Sequence, residues 1–201
     1  MRHHRGVLRR AAPTLLLAAL VGGGVLTGCS DAPSAPVAAA PAEVRAPDTR
    51  TADIDYARAM IPHHEQALEL SALARGRAGS PDVADLAFRI DRDQVEEVGQ
   101  LQGALRSWGQ DPGGTMAPMS GTGGMEGMAS PTTLDRLRTT SGPAFDRLWL
   151  ETMTAHHRGA LGMARAHLAA TGSASPLREF SRTVLVAQQA EIDRMAVLLA
   201  A

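Results

Sequence analysis

One motif is used twice in this chain, and the duplication restricts the folds open to it. Shifting the sequence by 93 residues superposes Asp53, Tyr56, Met60, His63, His64, Ala67 and Leu68 on Asp146, Trp149, Met153, His156, His157, Ala160 and Leu161. A shift of 94 pairs Gln94, Glu97 and Val98 with Gln188, Glu191 and Ile192. Each copy reads as a helical hairpin too small to bury its own apolar face, so two copies most simply form an antiparallel four-helix bundle. The expected fold class is therefore all-α. Helix one is predicted from Asp53 to Arg75, and helix two from Pro81, near its first turn, to Trp108. Residues 109–131, "GQDPGGTMAPMSGTGGMEGMASP", form a Gly, Met and Pro loop. Helix three covers Thr132 to Ala170, with a possible break at "SGP" near Gly142, and helix four follows "GSASP" to the C-terminus.

The duplicated helices carry an unusual stripe. At helical spacing Met60, His63, His64 and Ala67 fall within one arc of about 100°, shared with Tyr56 and Asp53. The equivalent arc on helix three holds Asp146, Trp149, Met153, His156, His157 and Ala160 and extends to Met163 and His167. Opposite them, Gln94 and Glu97 share the stripe of Ile90, Val98, Leu101 and Leu105, while Gln188 and Glu191 share that of Val184, Ile192, Met195 and Leu199. A carboxylate on a core face is costly unless it is paired or bound to a cation, and buried imidazoles need partners.

Two readings fit. In one, Glu and His form a polar core layer that fixes helix register. In the other, imidazole, carboxylate and thioether groups converge on a metal. Duplication of the whole arrangement favours the metal. The candidate ligands are then His63, His64, His156, His157, Met60, Met153, Glu97 and Glu191, with Asp53, Asp146, Gln94 and Gln188 as supporting partners. Met116, Met119, Met125 and Met128 are possible loop ligands. Thioether sulfur favours Cu(I), and imidazole also accepts Cu(II), so copper suits the mixture best, with zinc and iron left open. Met60 and Met153 equally suit core filling. Pro62 lacks an N–H for the Arg58 carbonyl, so it is expected to kink helix one or mark a first turn; the second copy has Ala155 there.

Residues 1–28 are set apart from the fold, because "MRHHRGVLRR" is a basic lead and "AAPTLLLAALVGGGVL" an apolar run of signal-peptide length. The segment ends in "LTGC", which resembles a bacterial lipoprotein signal. Cys29, the sole cysteine, is the expected lipidation site and membrane anchor, further acyl groups being needed for stable attachment. Residues 29–50, rich in Ala and Pro, read as a tether, and residues 51–201 as the bundle. The chain is accordingly expected to be exported and anchored outside the cytoplasmic membrane. All 20 basic residues are Arg, four of them in the signal, so the remainder carries 16 minus 21, or −5. That charge and the scarcity of aromatics argue against nucleic-acid binding.

The patterns "DIDYARAMIPHHEQALEL" and "FDRLWLETMTAHHRGALGM", each followed by Gln, two residues, Glu and an aliphatic residue, resemble the bacterial family known as domain of unknown function three-zero-five. The likeness spans residues 51–201. It implies a ferritin-like four-helix fold and export, with copper binding and resistance among some members. Its motif falls on Asp53, Met60, His63 and His64, and on Asp146, Met153, His156 and His157. The di-iron Glu, two residues, His motif is missing from both halves, which argues against oxygen-activating chemistry. The leading expectation is a membrane-tethered copper-binding protein that sequesters the ion or passes it to a protein partner. The alternatives are a metal-dependent redox enzyme and a metal-free interaction module. No Ser, His, Asp triad, phosphate-binding glycine loop or nucleophilic thiol is evident.

Overall fold

Short polar and proline signals set the helix boundaries. In the computed structural model, which describes residues 49–113, 126–172 and 174–201, five helices follow in order: α1 (Thr49–Ala74), α2 (Pro81–Ser107), α3 (Pro131–Thr139), α4 (Gly142–Ala170) and α5 (Arg178–Ala200). Ser80 caps α2 by accepting the Asp82 amide and Ser130 caps α3 by accepting that of Thr133, each with proline in the first turn. The expected break in helix three is present. Thr140 and Ser141 are extended and Pro143 restarts the helix, giving the short α3 ahead of α4. Cys29, Met116, Met119 and Met125, with the signal and most of the tether, lie outside the described residues. Helix α1 takes in the last two residues expected of the tether. Pro62 lies inside α1 and does not mark a first turn.

The four long helices form the bundle: α1 packs on α2, α4 on α5, and α1 on α4, while α3 lies against α4 and α1. Two apolar clusters build its interior. One contains Leu70, Leu86, Ile90, Phe145, Trp149, Met153 and Met195; the other contains Tyr56, Met60, Ile61, Leu101, Leu105 and Ala160. Along α1 the chain passes from the second cluster to the first, and along α4 from the first towards the second. The helices thus run antiparallel, and each His pair falls between the clusters. Trp149 contributes beyond its area, since its indole N–H donates to the Leu70 carbonyl at 2.8 Å.

Asp53 and Asp146 tie the repeats together. Asp146 accepts the backbone amides of Gly79 and Ser80 at 3.0 and 2.8 Å, holding the α1–α2 turn from the second repeat. Asp53 accepts from Ser175, holding the α4–α5 turn from the first. Each aspartate therefore braces the other copy's hairpin. Both carboxylates are buried, and hydrogen bonds to a charged group are the stronger kind. Asp146→Ala removes the charged acceptor of two part-buried turn amides and is expected to destabilise the fold by about 1–3 kcal/mol, measured by urea unfolding monitored through helical circular dichroism.

Candidate metal centre

All four paired histidines enter the core. His63, His64 and His157 are fully buried and His156 is nearly so. His63 and His156 meet across the α1–α4 contact with ring centroids 3.9 Å apart and planes inclined by 40°. The neighbours within each pair sit 6.3 Å apart. On the flanks, His157 Nε2 lies 2.7 Å from Glu191 Oε2, and His64 Nε2 lies 3.0 Å from Glu97 Oε2. The first contact is a hydrogen bond; the second has the distance but not the alignment of one. The layer thus reads Glu97, His64, His63, His156, His157, Glu191 across the bundle.

Acceptors determine where the protons sit. His63 Nε2 is 3.3 Å from the Glu126 carbonyl, which can only accept, so that nitrogen carries the hydrogen. His157 donates from Nε2 to the Glu191 carboxylate in the same way. The Nδ1 atoms of His63, His64 and His157 are buried without partners, as are both ring nitrogens of His156. Gln94 and Gln188 are also buried with unpartnered amide atoms, Oε1 of Gln94 and both ends of Gln188. Buried polar atoms are seldom left bare, and a cluster of bare imidazole nitrogens fits a site that takes a ligand.

The other candidates are distributed as follows. Met60 and Met153 are fully buried one turn before the His pairs and belong to the two apolar clusters. Glu97 and Glu191 keep partial solvent access at 13% and 17% and act as histidine partners. Asp53 and Asp146 bind the turns and touch none of the paired histidines. Met128 is half-buried in the segment before α3. Among the described residues, no three His, Cys, Asp or Glu side chains are already gathered as a metal site.

A second polar cluster was not apparent as a unit in the sequence. His167 donates to or accepts from Ser181 at 2.8 Å through Nδ1, lies 2.8 Å from Asp53 Oδ1 through Nε2, and stacks on Tyr56 at 4.2 Å. Asp, His and Ser are therefore in line after all. An apolar groove of about 300 Å³ passes Tyr56, Met163 and His167, but Ser181 is fully buried and does not line it. With its hydroxyl out of reach, the line serves as a clamp on α4, α5 and their turn. Position 167 on the helix-three arc was the available signal; Ser175 and Ser181 come from distant chain that no helical period links to it.

The model for the domain of unknown function DUF305 matches residues 53–199. The chain belongs to the DUF305 family. The solved DUF305 protein of Streptomyces coelicolor, described as secreted, is 33% identical, with a TM-score of 0.67 over 74% of this chain and 91% of that one. A DUF305 fragment from Deinococcus radiodurans is 32% identical, with a TM-score of 0.65 over 74% and 95%. CopM in its Cu(II)-bound form is 27% identical, with a TM-score of 0.62 over 74% and 95%. No curated protein sequence matches.

Within this DUF305 bundle, burial is the main influence on His63 and His156. It lowers His63 to about 4, with His64 adding repulsion and the Glu126 carbonyl opposing. It lowers His156 to about 2, reinforced by His63, His157 and His64. Both rings are neutral at physiological pH and keep lone pairs free. The unfolded chain takes up protons at these two positions near pH 6.5, whereas the folded chain does not until about pH 4 at His63. Their contribution to stability is thus complete above pH 6.5 and falls as pH drops towards 4. The metal-free protein should show a falling Tm over that window, and His63→Gln with His156→Gln should flatten the slope; equal slopes would show that other groups set it.

Proposed function

We propose that this protein binds copper at the histidine layer and sequesters or passes on the ion outside the cytoplasm, tethered to the membrane through acylated Cys29. The observation that carries this reading is the set of buried imidazole nitrogens without hydrogen-bond partners. A polar layer built only for packing would pair those atoms, because leaving them bare costs free energy. The chain offers each of three histidines by Nδ1 while Glu126, Glu97 and Glu191 hold or face the opposite nitrogen. A carboxylate behind a histidine orients the ring and raises its basicity.

Donor chemistry supports copper over harder ions. Met60 and Met153 place thioethers one helical turn from the imidazoles, and Met128 lies two residues after Glu126, whose carbonyl meets His63. Soft sulfur suits Cu(I), and imidazole serves both copper oxidation states. Cu(I) is satisfied by few ligands, so two nitrogens with a thioether suffice where three nitrogen or oxygen donors are not gathered. CopM, similar in fold, has been solved with both Cu(II) and Cu(I) bound. The low pKa values at His63 and His156 keep protons from competing at neutral pH. The signal-like residues 1–28 and the likeness to a protein described as secreted support an extracytoplasmic setting.

The test is a titration of residues 30–201 with Cu(I), Cu(II), Zn(II) and Fe(II), with bound metal and Tm as readouts. Copper is expected to bind most tightly and raise the stability by about 2.7 kcal/mol at a hundredfold excess over Kd. Glu191→Gln should weaken copper binding roughly 10–100-fold. Copper binding no tighter than in a variant with His63, His64, His156 and His157 all changed to Ala would overturn the reading, as would tighter histidine-dependent binding of zinc or iron.

A further inference from the structure

The two repeats differ at one pair of equivalent positions beside the histidines. Gln66 and Gly159 are related by the 93-residue shift and each follows the first histidine of its pair by three residues. Residues 126–130, the end of the Met-rich loop, run between them. Gln66 grips this segment with both ends of its amide: its Nε2 donates to the Ala129 carbonyl at 3.0 Å, and the Ala129 amide donates to its Oε1 at 2.7 Å. On the other side the segment presses onto the α4 backbone. A Cβ on Gly159 would overlap the Glu126 carbonyl and come within 3.1 Å of His63 Nε2. Gly127, at φ +85°, similarly leaves no room for a Cβ against the Ala155 carbonyl.

We propose that residues 126–130 are a strap that gates ligand exchange at the His63–His156 pair, with Gln66 and Gly159 holding it shut. This inference rests on the copper reading. Both rings are buried, so an ion enters or leaves only when something moves. Parting the helices would disrupt the two apolar clusters, whereas lifting the strap breaks the Gln66 amide bonds and the 3.3 Å bond from His63 to Glu126. Local opening takes the route with fewer buried contacts. The strap also carries Met128, a soft donor that travels with it. When it lifts, His63 Nε2 loses its carbonyl partner and the proton on that ring is free to move to Nδ1, so opening changes which nitrogen is offered as well as exposing it.

The experiment compares residues 30–201 as wild type, Gln66→Ala, Gly159→Ala and Gly162→Ala. Gly162 lies on the same helix with open space around it and controls for the helix-stabilising effect of alanine. Circular dichroism first establishes that each protein is folded. Metal-free samples are treated with diethyl pyrocarbonate, which modifies neutral imidazoles, and rates at His63 and His156 are read by tandem mass spectrometry. Cu(I)-loaded samples are then challenged with bicinchoninate and release is timed. Gln66→Ala and Gly159→Ala are expected to raise both rates roughly tenfold, with Gly162→Ala as wild type. Should Gly159→Ala fail to fold, Gln66→Ala alone decides. Unchanged modification rates would overturn the strap, and faster modification without faster release would show that copper leaves by another route and overturn the gate. A wild type that holds no Cu(I) would overturn the copper reading, while the modification rates alone would still uphold or overturn the strap.

Discussion

A layer of four desolvated imidazoles crosses the bundle where α1 meets α4, and the surrounding structure is organised around the cost of keeping it there. His63 and His156 lie 3.9 Å apart, too close for both to carry charge in an apolar interior. Burial and mutual repulsion hold them neutral. A neutral imidazole has one donor and one acceptor nitrogen, so fixing the donor leaves a defined lone pair. The Glu126 carbonyl does this directly at His63, and the Glu191 carboxylate holds Nε2 of His157. Apolar clusters on both sides supply the burial that offsets the unpartnered polar atoms.

The duplication gives the layer its near symmetry and the aspartate clamps make it one unit. If each aspartate served its own hairpin, the repeats could separate with little loss beyond their shared apolar face. Asp146 instead holds the first hairpin's turn and Asp53 holds the second's. The α1–α4 contact is thereby fixed from both ends, which positions one His pair against the other. The symmetry is broken where a single intervening segment must cover a two-fold site: Gln66 on α1 meets it through hydrogen bonds, whereas Ala155 and Gly159 on α4 meet it through close backbone packing. His167, whose counterpart in the first repeat is Ala74, breaks it again by adding a clamp on one side only.

Much of this was legible from spacing. The break at Ser141 and Pro143 followed from local backbone chemistry, because proline cannot continue a preceding helix but suits the first turn of the next. The inward placement of His63, His64, His156 and His157, and the facing of Glu97 and Glu191 towards them, followed from helical period and the repeat. Asp53 and Asp146 show where period stops informing. They share the histidine arc, yet an arc states only which face a residue occupies: further along it Asp146 meets the amides of a turn, and Asp53 meets Ser175 and the unpaired His167 rather than the His pairs. Neighbours from other helices decide such cases.

By itself, then, the sequence determined an all-helical duplicated bundle with histidine, glutamate and methionine on its inner faces, because periodicity and repetition are properties of the chain. Which ring nitrogen is held and which is bare, which aspartate braces which turn, and how residues 126–130 lie over His63 and His156 were decided only by the tertiary structure. Those depend on distances of about 3 Å between groups remote in sequence. Hydrogen bonds and close packing are short-ranged and directional, and no local pattern encodes them.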